Sequence, residues 1–318
     1  MTYTTQTTLL YVGIDVSKET LAVATYPITT VQVITNDPNH CERLAHELAQ
    51  QPVALVLLEA SGGFEKPLVQ ALQRAGVPMA IVPTQRARYF AKSLRGNLKT
   101  DRVDAQMLAR FASCYPVPET PDLPAVQAQL KELWARREQL TQQLEAEKKR
   151  LQVAMHPLVR SSLERTIAGV QEELAQIEAA IAMLVASDES LVQKAARLQT
   201  VVGVGRVVAF GLLAELPELG QVSHKVIAAL AGLAPVRRES GQWRGYARIG
   251  GGRHRARRLL YLAAVVAVTH DARWKAVYEG LLAKGKPKKV ALCAVARRLL
   301  VVMNAMVRDG RAYERVQE

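Results

Sequence analysis

At 318 residues and 49% hydrophobic side chains, the chain can bury two substantial cores, which excludes a disordered protein. Its three cysteines, Cys41, Cys114 and Cys293, lie too far apart in sequence for a metal-binding or redox motif, which argues against a disulfide framework and favours a cytoplasmic protein. The net charge is +13, and residues 191–318 hold 23 Lys and Arg against 8 Asp and Glu, which predicts a nucleic-acid partner over a merely solubilising or membrane-attracted surface.

Strands alternate with helices in the first third of the chain. The patterns predict a strand over residues 11–25 with a turn near 17–19, then a strand over 31–35 and a helix over 36–50 capped by Asn36 or Asp37. A buried strand over 53–58 follows, then a helix over 65–75 closed by Gly76, a strand over 79–82 and a helix over 101–115. This alternation predicts an α/β domain over residues 8–115.

A proline-rich linker and a helical arm are predicted for residues 116–190. Four prolines lie in residues 116–124, and leucines then recur at steps of three, four or seven through residue 186. His156-Pro157 interrupts the run, which indicates an antiparallel helical hairpin or a coiled-coil arm. The pattern leaves open whether this is an oligomerisation arm or an ordinary helical subdomain.

Residues 191–318 form the third predicted domain, which is basic and mainly α. Its apolar stretches 259–268 and 290–307 are interpreted as buried helices, because the first is too short to span a bilayer and the second contains Arg297 and Arg298. The first ten residues lack the pattern of a signal peptide. We therefore expect no membrane association.

Four carboxylates are candidate ligands for a metal ion. Asp15 lies within an apolar strand, where a carboxylate is costly without a compensating positive charge, and Glu59 ends the buried strand at its carboxyl end. Asp101 and Asp104 share one face of a predicted helix, although a first-turn acid is also a common helix-stabilising feature. Oxygen ligands suit Mg²⁺ or Mn²⁺, and two such ions can clamp the attacking and leaving oxygens of a phosphoryl transfer.

Six basic residues lie in the sequence over residues 86–102, close to the later acids. They predict a track for a phosphate backbone, with a solvated helix face as the alternative, and comprise Arg86, Arg88, Lys92, Arg95, Lys99 and Arg102. In the third domain, Gly203 and Gly205 separate two apolar helical segments, as in a helix-hairpin-helix unit that binds phosphate through backbone amides. Ordinary turn chemistry would give the same glycine pattern.

A loop serine, Ser240, is a candidate nucleophile. Most serines beside a glycine only form turns, but guanidinium groups near this one could hold a phosphodiester: Arg237, Arg238, Arg244 and Arg248. A glycine run, 250–252, follows and is expected to be flexible, with Arg253 and Arg255 placed for backbone contacts with nucleic acid. The chain has no phosphate-binding loop of the Walker type.

Several of these motifs together resemble a known family. They are Gly13-Ile14-Asp15-Val16-Ser17-Lys18, Leu58-Glu59-Ala60-Ser61-Gly62, Lys99-Thr100-Asp101-Arg102-Val103-Asp104-Ala105, Val202-Gly203-Val204-Gly205, Ala231-Gly232-Leu233-Ala234-Pro235, Glu239-Ser240-Gly241 and Leu259-Leu260-Tyr261-Leu262-Ala263-Ala264. In order and spacing they resemble the DEDD transposases of insertion-sequence family 110, also called bridge recombinases, and the related Piv-type DNA invertases. The resemblance extends over nearly the whole chain.

The resemblance implies a RuvC-like, ribonuclease-H-type fold for the N-terminal domain. It implies that Asp15, Glu59, Asp101 and Asp104 bind Mg²⁺ and that Ser240 forms a phosphoserine link to a DNA 5′ end. It further implies donor and target DNA as substrates, a structured non-coding guide RNA, assembly from dimer to tetramer with the arm contributing, and a bacterial, nucleoid-associated location. Two alternatives are a metal-dependent RuvC-like junction nuclease that uses water and a non-catalytic nucleic-acid-binding protein.

Overall fold

The computed structural model describes residues 8–93, 100–120, 124–236, 239–240, 243–244 and 248–314, with only the backbone described at 239–240 and 243–244. The chain divides into two compact units, Met1–Asp122 and Leu123–Glu318. The elements of the N-terminal unit are β1 (Leu10–Val16), β2 (Thr20–Tyr26), β3 (Val31–Thr35), α1 (Pro38–Ala49), β4 (Val53–Glu59), α2 (Lys66–Arg74), β5 (Met79–Val82), α3 (Thr84–Ser93) and α4 (Asp101–Cys114).

The N-terminal unit is built on a five-stranded mixed sheet in the order β3-β2-β1-β4-β5. Strands β1, β2 and β3 form an antiparallel meander, because short turns join them, whereas β4 and β5 lie parallel to β1 after helical crossovers. The predicted α/β class is confirmed, and this mixed sheet fits the RuvC-like domain that the resemblance implies.

Helices cover both faces of the sheet. On one face Val56 and Leu58 pack with the buried sides of α1 and α2, and on the other Leu55 and Leu57 pack with α3 and α4. The strand β4 is thus covered on both faces, which explains why residues 53–58 are all apolar. This confirms the buried strand that the continuous apolar run predicted. Helix α3 was not predicted, because most of its residues are polar or basic and only a few are buried. One of these is Phe90, which stacks on Phe111 with ring centroids 4.6 Å apart.

The C-terminal unit is mainly α, as predicted, with four two-residue strands that the sequence pattern did not indicate. Its elements are α5 (Ala125–Val153), α6 (Pro157–Ala186), α7 (Glu189–Gln199), α8 (Arg206–Glu215), α9 (His224–Leu230), β6 (Pro235–Val236), β7 (Glu239–Ser240), β8 (Trp243–Arg244), β9 (Arg248–Ile249), α10 (His254–His270), α11 (Ala272–Ala283) and α12 (Lys288–Asp309).

Helices α5 and α6 form an antiparallel hairpin with the break at the predicted place. The outer half has its own core of Leu140, Leu144, Ile167 and Val170. At the inner half, side chains such as Trp134 and Ile181 join the core formed by α7 to α12. The base of the arm is therefore folded together with the C-terminal region, while the oligomerisation role of the arm stays a prediction.

Helix α12 is the core helix of the C-terminal unit. Within the described residues it alone is long and apolar enough to cross a membrane, yet half of its most apolar stretch is buried inside the structure, and one or two such helices are weak evidence for a span. Buried Asn304 accepts a hydrogen bond from the Gly220 N–H at 2.8 Å and donates one to the Val222 carbonyl at 2.9 Å. These contacts fit the prediction that this stretch is a buried core helix.

Candidate active site

Asp15 and Glu59 end two neighbouring parallel strands. The register pairs Ile14 of β1 with Leu58 of β4, so the two acids that follow lie side by side at the carboxyl edge of the sheet. Both side chains are partly exposed, unlike the apolar residues before them. This edge is where α/β sheets place their ligands, and the predicted pairing of these two acids follows directly from the strand register.

Helix α4 brings the other two acids to the same edge. Thr100 caps the helix by accepting a hydrogen bond from the Val103 N–H, and Asp101 and Asp104 lie in the first turn. The helix packs directly on β1 at Gly13: a Cβ atom there would lie 2.1 Å from the Ala105 carbonyl oxygen. Only a residue without a side chain allows so close an approach, which sets the first turn of α4 next to Asp15.

Replacing Gly13 with alanine is expected to push α4 off the sheet. The added methyl group would meet backbone atoms of Ala105 and Ala109, which cannot rotate away, so the free energy of unfolding should fall by about 1–3 kcal/mol. Urea denaturation of the full chain measures it. The control is Gly169→Ala in α6, where no atom lies within 4 Å and alanine should stabilise the helix by about 0.5–1 kcal/mol. Equal stability of Gly13→Ala and the parent protein would contradict the close-approach argument.

The four carboxylates act on one another electrostatically. The pKa of Asp15 is raised to about 6, first by burial and then by the negative charges of Asp101, Asp104 and Glu59. One backbone hydrogen bond from Val16 lowers it in part. Among the described groups that shift this pKa there is no cation, so the charges that act on Asp15 all have its own sign.

The chemistry of this site suits a hard divalent cation. Carboxylate oxygens are the ligands that Mg²⁺ and Mn²⁺ prefer, and a bound cation would remove the repulsion that raises the pKa of Asp15. Over the part of the chain that the structure describes, however, no three His, Cys, Asp or Glu side chains lie close enough together to hold a metal ion. The four acids interact electrostatically, but their carboxylate oxygens would have to move closer together to bind the same ion.

The basic side chains predicted to contact nucleic acid lie on two helices of this unit. On α3, Arg86, Arg88 and Lys92 are exposed, while Ala87 and Phe90 face the core. Arg102 is exposed on the first turn of α4, between the two acids of that helix. Arg95 and Lys99 lie outside the described residues. The exposed positions suit both the phosphate track and the solvated face that the sequence left open.

Asn36 connects two loops at this edge of the sheet, a role that was not predicted from the sequence. Asp37 caps α1, which leaves the Asn36 amide to donate to the Ser17 carbonyl at 2.8 Å and the Phe64 carbonyl at 3.1 Å. These two carbonyls belong to the loops that follow the strands of Asp15 and Glu59. Asn36 therefore fixes the two loops that border the acids. The sequence analysis considered Asn36 only as a possible N-cap of α1, and for that reason did not predict this role.

The helix-hairpin-helix pattern corresponds to α7, a turn and α8. Gly203 has a positive φ of 88°, and a Cβ there would lie 2.4 Å from the Ala263 carbonyl oxygen of α10, so this glycine serves internal packing. Gly205 is the N-cap of α8 and has open space around its Cβ position. Of the two glycines predicted to contact nucleic acid, Gly205 is the accessible one.

Ser240 ends β7, a strand of one of two short antiparallel strand pairs that we call together the Ser240 ribbon. The outer pair joins Val236 of β6 to Arg248 of β9, and the inner pair joins Ser240 of β7 to Trp243 of β8. Residues 241–242, which connect β7 to β8, lie outside the described residues. Arg248 is exposed, Arg244 is described only as backbone, and Arg237 and Arg238 lie outside the described residues. The serine belongs to the C-terminal unit, whereas the four acids belong to the N-terminal unit.

The glycine run ends in a close contact, and the arginines after it have partners within the unit. A Cβ at Gly252 would lie 2.6 Å from the Leu230 carbonyl oxygen at the end of α9, whereas Gly250 and Gly251 have open space, so the flexibility of the run stays a prediction. Arg253 donates to both carboxylate oxygens of Glu218 at 2.6 Å. Arg255 lies 3.7 Å from a carboxylate oxygen of Glu215. Both arginines thus have carboxylate partners within the unit, because the fold places acids beside them that are distant in sequence.

Two family models match the chain. One, a DEDD model of the IS110 type described as a transposase, matches residues 12–158. The other, described as the transposase IS116/IS110/IS902 family, matches residues 195–279. The first range contains the four acids, and the second contains the α7–α8 turn and Ser240. The two matches therefore include every candidate catalytic residue.

Several known proteins are similar in sequence. The pilin gene-inverting proteins of Moraxella bovis and Moraxella lacunata are each 28% identical over 316 residues, which is 96% of this chain and 98% of each relative. The insertion element IS110 uncharacterized 43.6 kDa protein of Streptomyces coelicolor is 32% identical over 162 residues, which is 49% of this chain and 38% of that protein.

Proposed function

Because the chain belongs to the IS110 family of transposases, we propose that it cuts and exchanges DNA strands with Ser240 as nucleophile and with divalent cations held by four carboxylates. The metal-dependent part rests on the strand register that places Asp15 and Glu59 side by side at the sheet edge, and on the negative charges of Asp101, Asp104 and Glu59, which help to raise the pKa of Asp15. Carboxylates that raise one another's pKa at the carboxyl edge of a sheet are typical of functional sites, and cation binding is one such function.

The proposed chemistry exchanges one phosphodiester for another. The Ser240 oxygen attacks a DNA phosphorus, the new O–P bond forms as the P–O3′ bond breaks, and the serine proton ends on the departing 3′ oxygen. A 3′-hydroxyl of the exchange strand then attacks the same phosphorus and returns the proton to Ser240. Bond number and type are conserved, so strands rejoin without a nucleotide, which fits the absence of a Walker-type sequence motif.

Asp15, Glu59, Asp101 and Asp104 would hold the cations, preferably Mg²⁺. Such ions, when bound, neutralise the charge that develops on the phosphate. The residues of the chain supply the rest: Asn36 fixes the loops beside the acids, and Gly13 sets α4 against the sheet. The arginines next to Ser240, of which Arg248 is exposed, would hold the phosphodiester in place.

The substrates and partners follow from the family and from the charge. The names of the two Moraxella relatives state that they invert a pilin gene, and inversion requires the strand exchange proposed here. We extend the proposal to donor and target DNA, a structured guide RNA that pairs with both, and a dimer or tetramer in which the acids of one subunit meet the serine of another. The basic C-terminal region, the exposed cations of α3 and the bacterial relatives support a nucleoid-associated protein.

The protein is expected to form DNA adducts that survive denaturation. It would be purified with its bound RNA, that RNA sequenced, and the complex incubated with end-labelled DNA matching the guide segments and with Mg²⁺. A labelled band at the mass of protein plus DNA on a denaturing gel supports the proposal, and EDTA should abolish it. Cleavage without an adduct would favour the water-using nuclease. Binding without cleavage, with RNA and Mg²⁺ present, would favour the non-catalytic alternative.

A further inference from the structure

A cavity of about 300 Å³ lies at the base of the arm, between α5, α6 and α8. We call it the arm-base cavity. Its lining is partly apolar, through residues such as Ile181, and partly aromatic and charged, through Trp134, Phe210, Arg137, Arg206 and the Glu178 carboxylate. The whole lining belongs to the C-terminal unit and is separate from the acids and from the Ser240 ribbon in sequence. Its size is at the lower end of small-molecule sites, enough for one planar ring system.

One side of the arm-base cavity is a fixed guanidinium plane. The Arg137 guanidinium lies 5.0 Å from the Trp134 ring centroid and donates to Glu178 through Nε at 2.8 Å. A second carboxylate, that of buried Glu138, lies 3.7 Å from the same guanidinium. Arg137 is therefore compensated in charge and held in orientation. Because Trp134 covers one face of its guanidinium, only the other face can stack on a ligand.

The other cation of the arm-base cavity is uncompensated. Arg206, the first residue of α8, places its guanidinium 5.3 Å from the Phe210 ring centroid, one turn further along the helix. Its side chain is exposed and has no acidic partner among the described residues. It also follows Gly205, the accessible glycine of the α7–α8 turn. An exposed cation without a described acidic partner, beside apolar and aromatic lining, suits a ligand with a planar body and a single negative group.

We propose that the arm-base cavity binds one unpaired nucleotide, with its base stacked against the Arg137 and Arg206 planes and its phosphate paired with Arg206. This deepens the proposed function and rests on it, because nucleic acid must be the partner of the basic C-terminal unit. Unstacked bases bind to aromatic rings and to arginine planes in this way. An aliphatic ligand would leave Arg206 without a counter-charge, and a small anion would leave the apolar surface without a partner.

The test uses 2-aminopurine, whose fluorescence is quenched when it stacks. Single-stranded DNA and RNA oligonucleotides carrying this base in a random sequence are titrated with the full-length protein. We expect quenching on binding, and stronger quenching with one of the two strands identifies whether the nucleotide comes from DNA or RNA. Arg206→Ala should weaken binding on the order of 10-fold and remove the quenching.

Two further variants separate stacking from charge. Arg206→Lys keeps the charge, so the salt dependence of binding should stay as in the parent protein, while the quenching is reduced because only the Arg137 plane remains. Arg165→Ala removes an equal charge from an exposed position on α6 and should leave the quenching unchanged. Quenching in Arg206→Lys that equals that of the parent protein, or quenching that never occurs in the parent protein with either strand, would overturn the proposal. Because adduct formation by Ser240 is scored separately, this outcome would leave the proposed function intact.

Discussion

Replacing Ser240 with alanine is expected to abolish the protein–DNA adduct and to reduce recombination by a factor on the order of 10⁴ or more. The alanine variant has no oxygen that could attack phosphorus, and no other step of the exchange can proceed without the covalent link. The measurement is the labelled band on a denaturing gel, together with recombinant product counted by sequencing. RNA binding and folding should be unchanged, because the substitution removes one hydroxyl group and no charge.

The matched control for this experiment is Ser162→Ala, an exposed serine on α6 whose loss should leave adduct formation as in the parent protein. Adducts that persist in Ser240→Ala would refute the assignment of the nucleophile. Loss of the adduct with continued cutting would instead mean that water can replace the serine, and would return the site to the junction-nuclease alternative.

Asp15→Asn is expected to abolish DNA cleavage, with a loss on the order of 10³-fold, while making the metal-free protein more stable. Both effects have one cause: the carboxylate is half buried beside three other acids, and this raises its pKa to about 6. At pH 7.5 the parent protein therefore keeps an unfavourable charge that the amide lacks. After allowance for solvent screening, the gain in the free energy of unfolding should be about 1 kcal/mol.

The pH dependence of stability gives a second readout for Asp15. Because its pKa is higher in the folded protein than the ordinary value of 3.8, the folded state binds the proton more tightly. This contribution to stability is fully present below pH 3.8 and is lost as the pH rises through about 6. Thermal denaturation at several pH values should show this loss in the parent protein and not in Asp15→Asn.

Without Mg²⁺ we expect Asp15→Asn to be more stable than the parent protein, and with Mg²⁺ we expect the parent protein to be the more stable of the two. A cation that binds the folded site raises the melting temperature of the parent protein, and the rise should be smaller in Asp15→Asn. Glu47→Gln, which removes an exposed acid of α1, is the control and should respond to Mg²⁺ as the parent does. Equal responses of the parent and Asp15→Asn would contradict a cation site at these acids.

The sequence by itself determined the elements whose signals are local. The apolar run of β4, the helix spacing of α1 and α4 and the His156-Pro157 break each lie within one stretch of chain, and the structure has each of them where it was predicted. Asp15 was also predictable as a candidate, because a carboxylate within an apolar strand is unusual wherever the strand lies. The other three acids were candidates through their positions at a strand end and on one helix face. The order of the motifs was sufficient to indicate the family.

The tertiary structure alone decided which side chains are available for chemistry. Arg253 and Gly203 read as nucleic-acid contacts in the sequence, but Glu218 and the α10 backbone, both distant along the chain, meet them in the fold. Gly13 had no visible role until α4 packed on it, and the arm-base cavity exists only because α5, α6 and α8 meet. Local patterns reflect the backbone and the burial of one segment. Charge pairing and close packing depend on residues that only folding brings together.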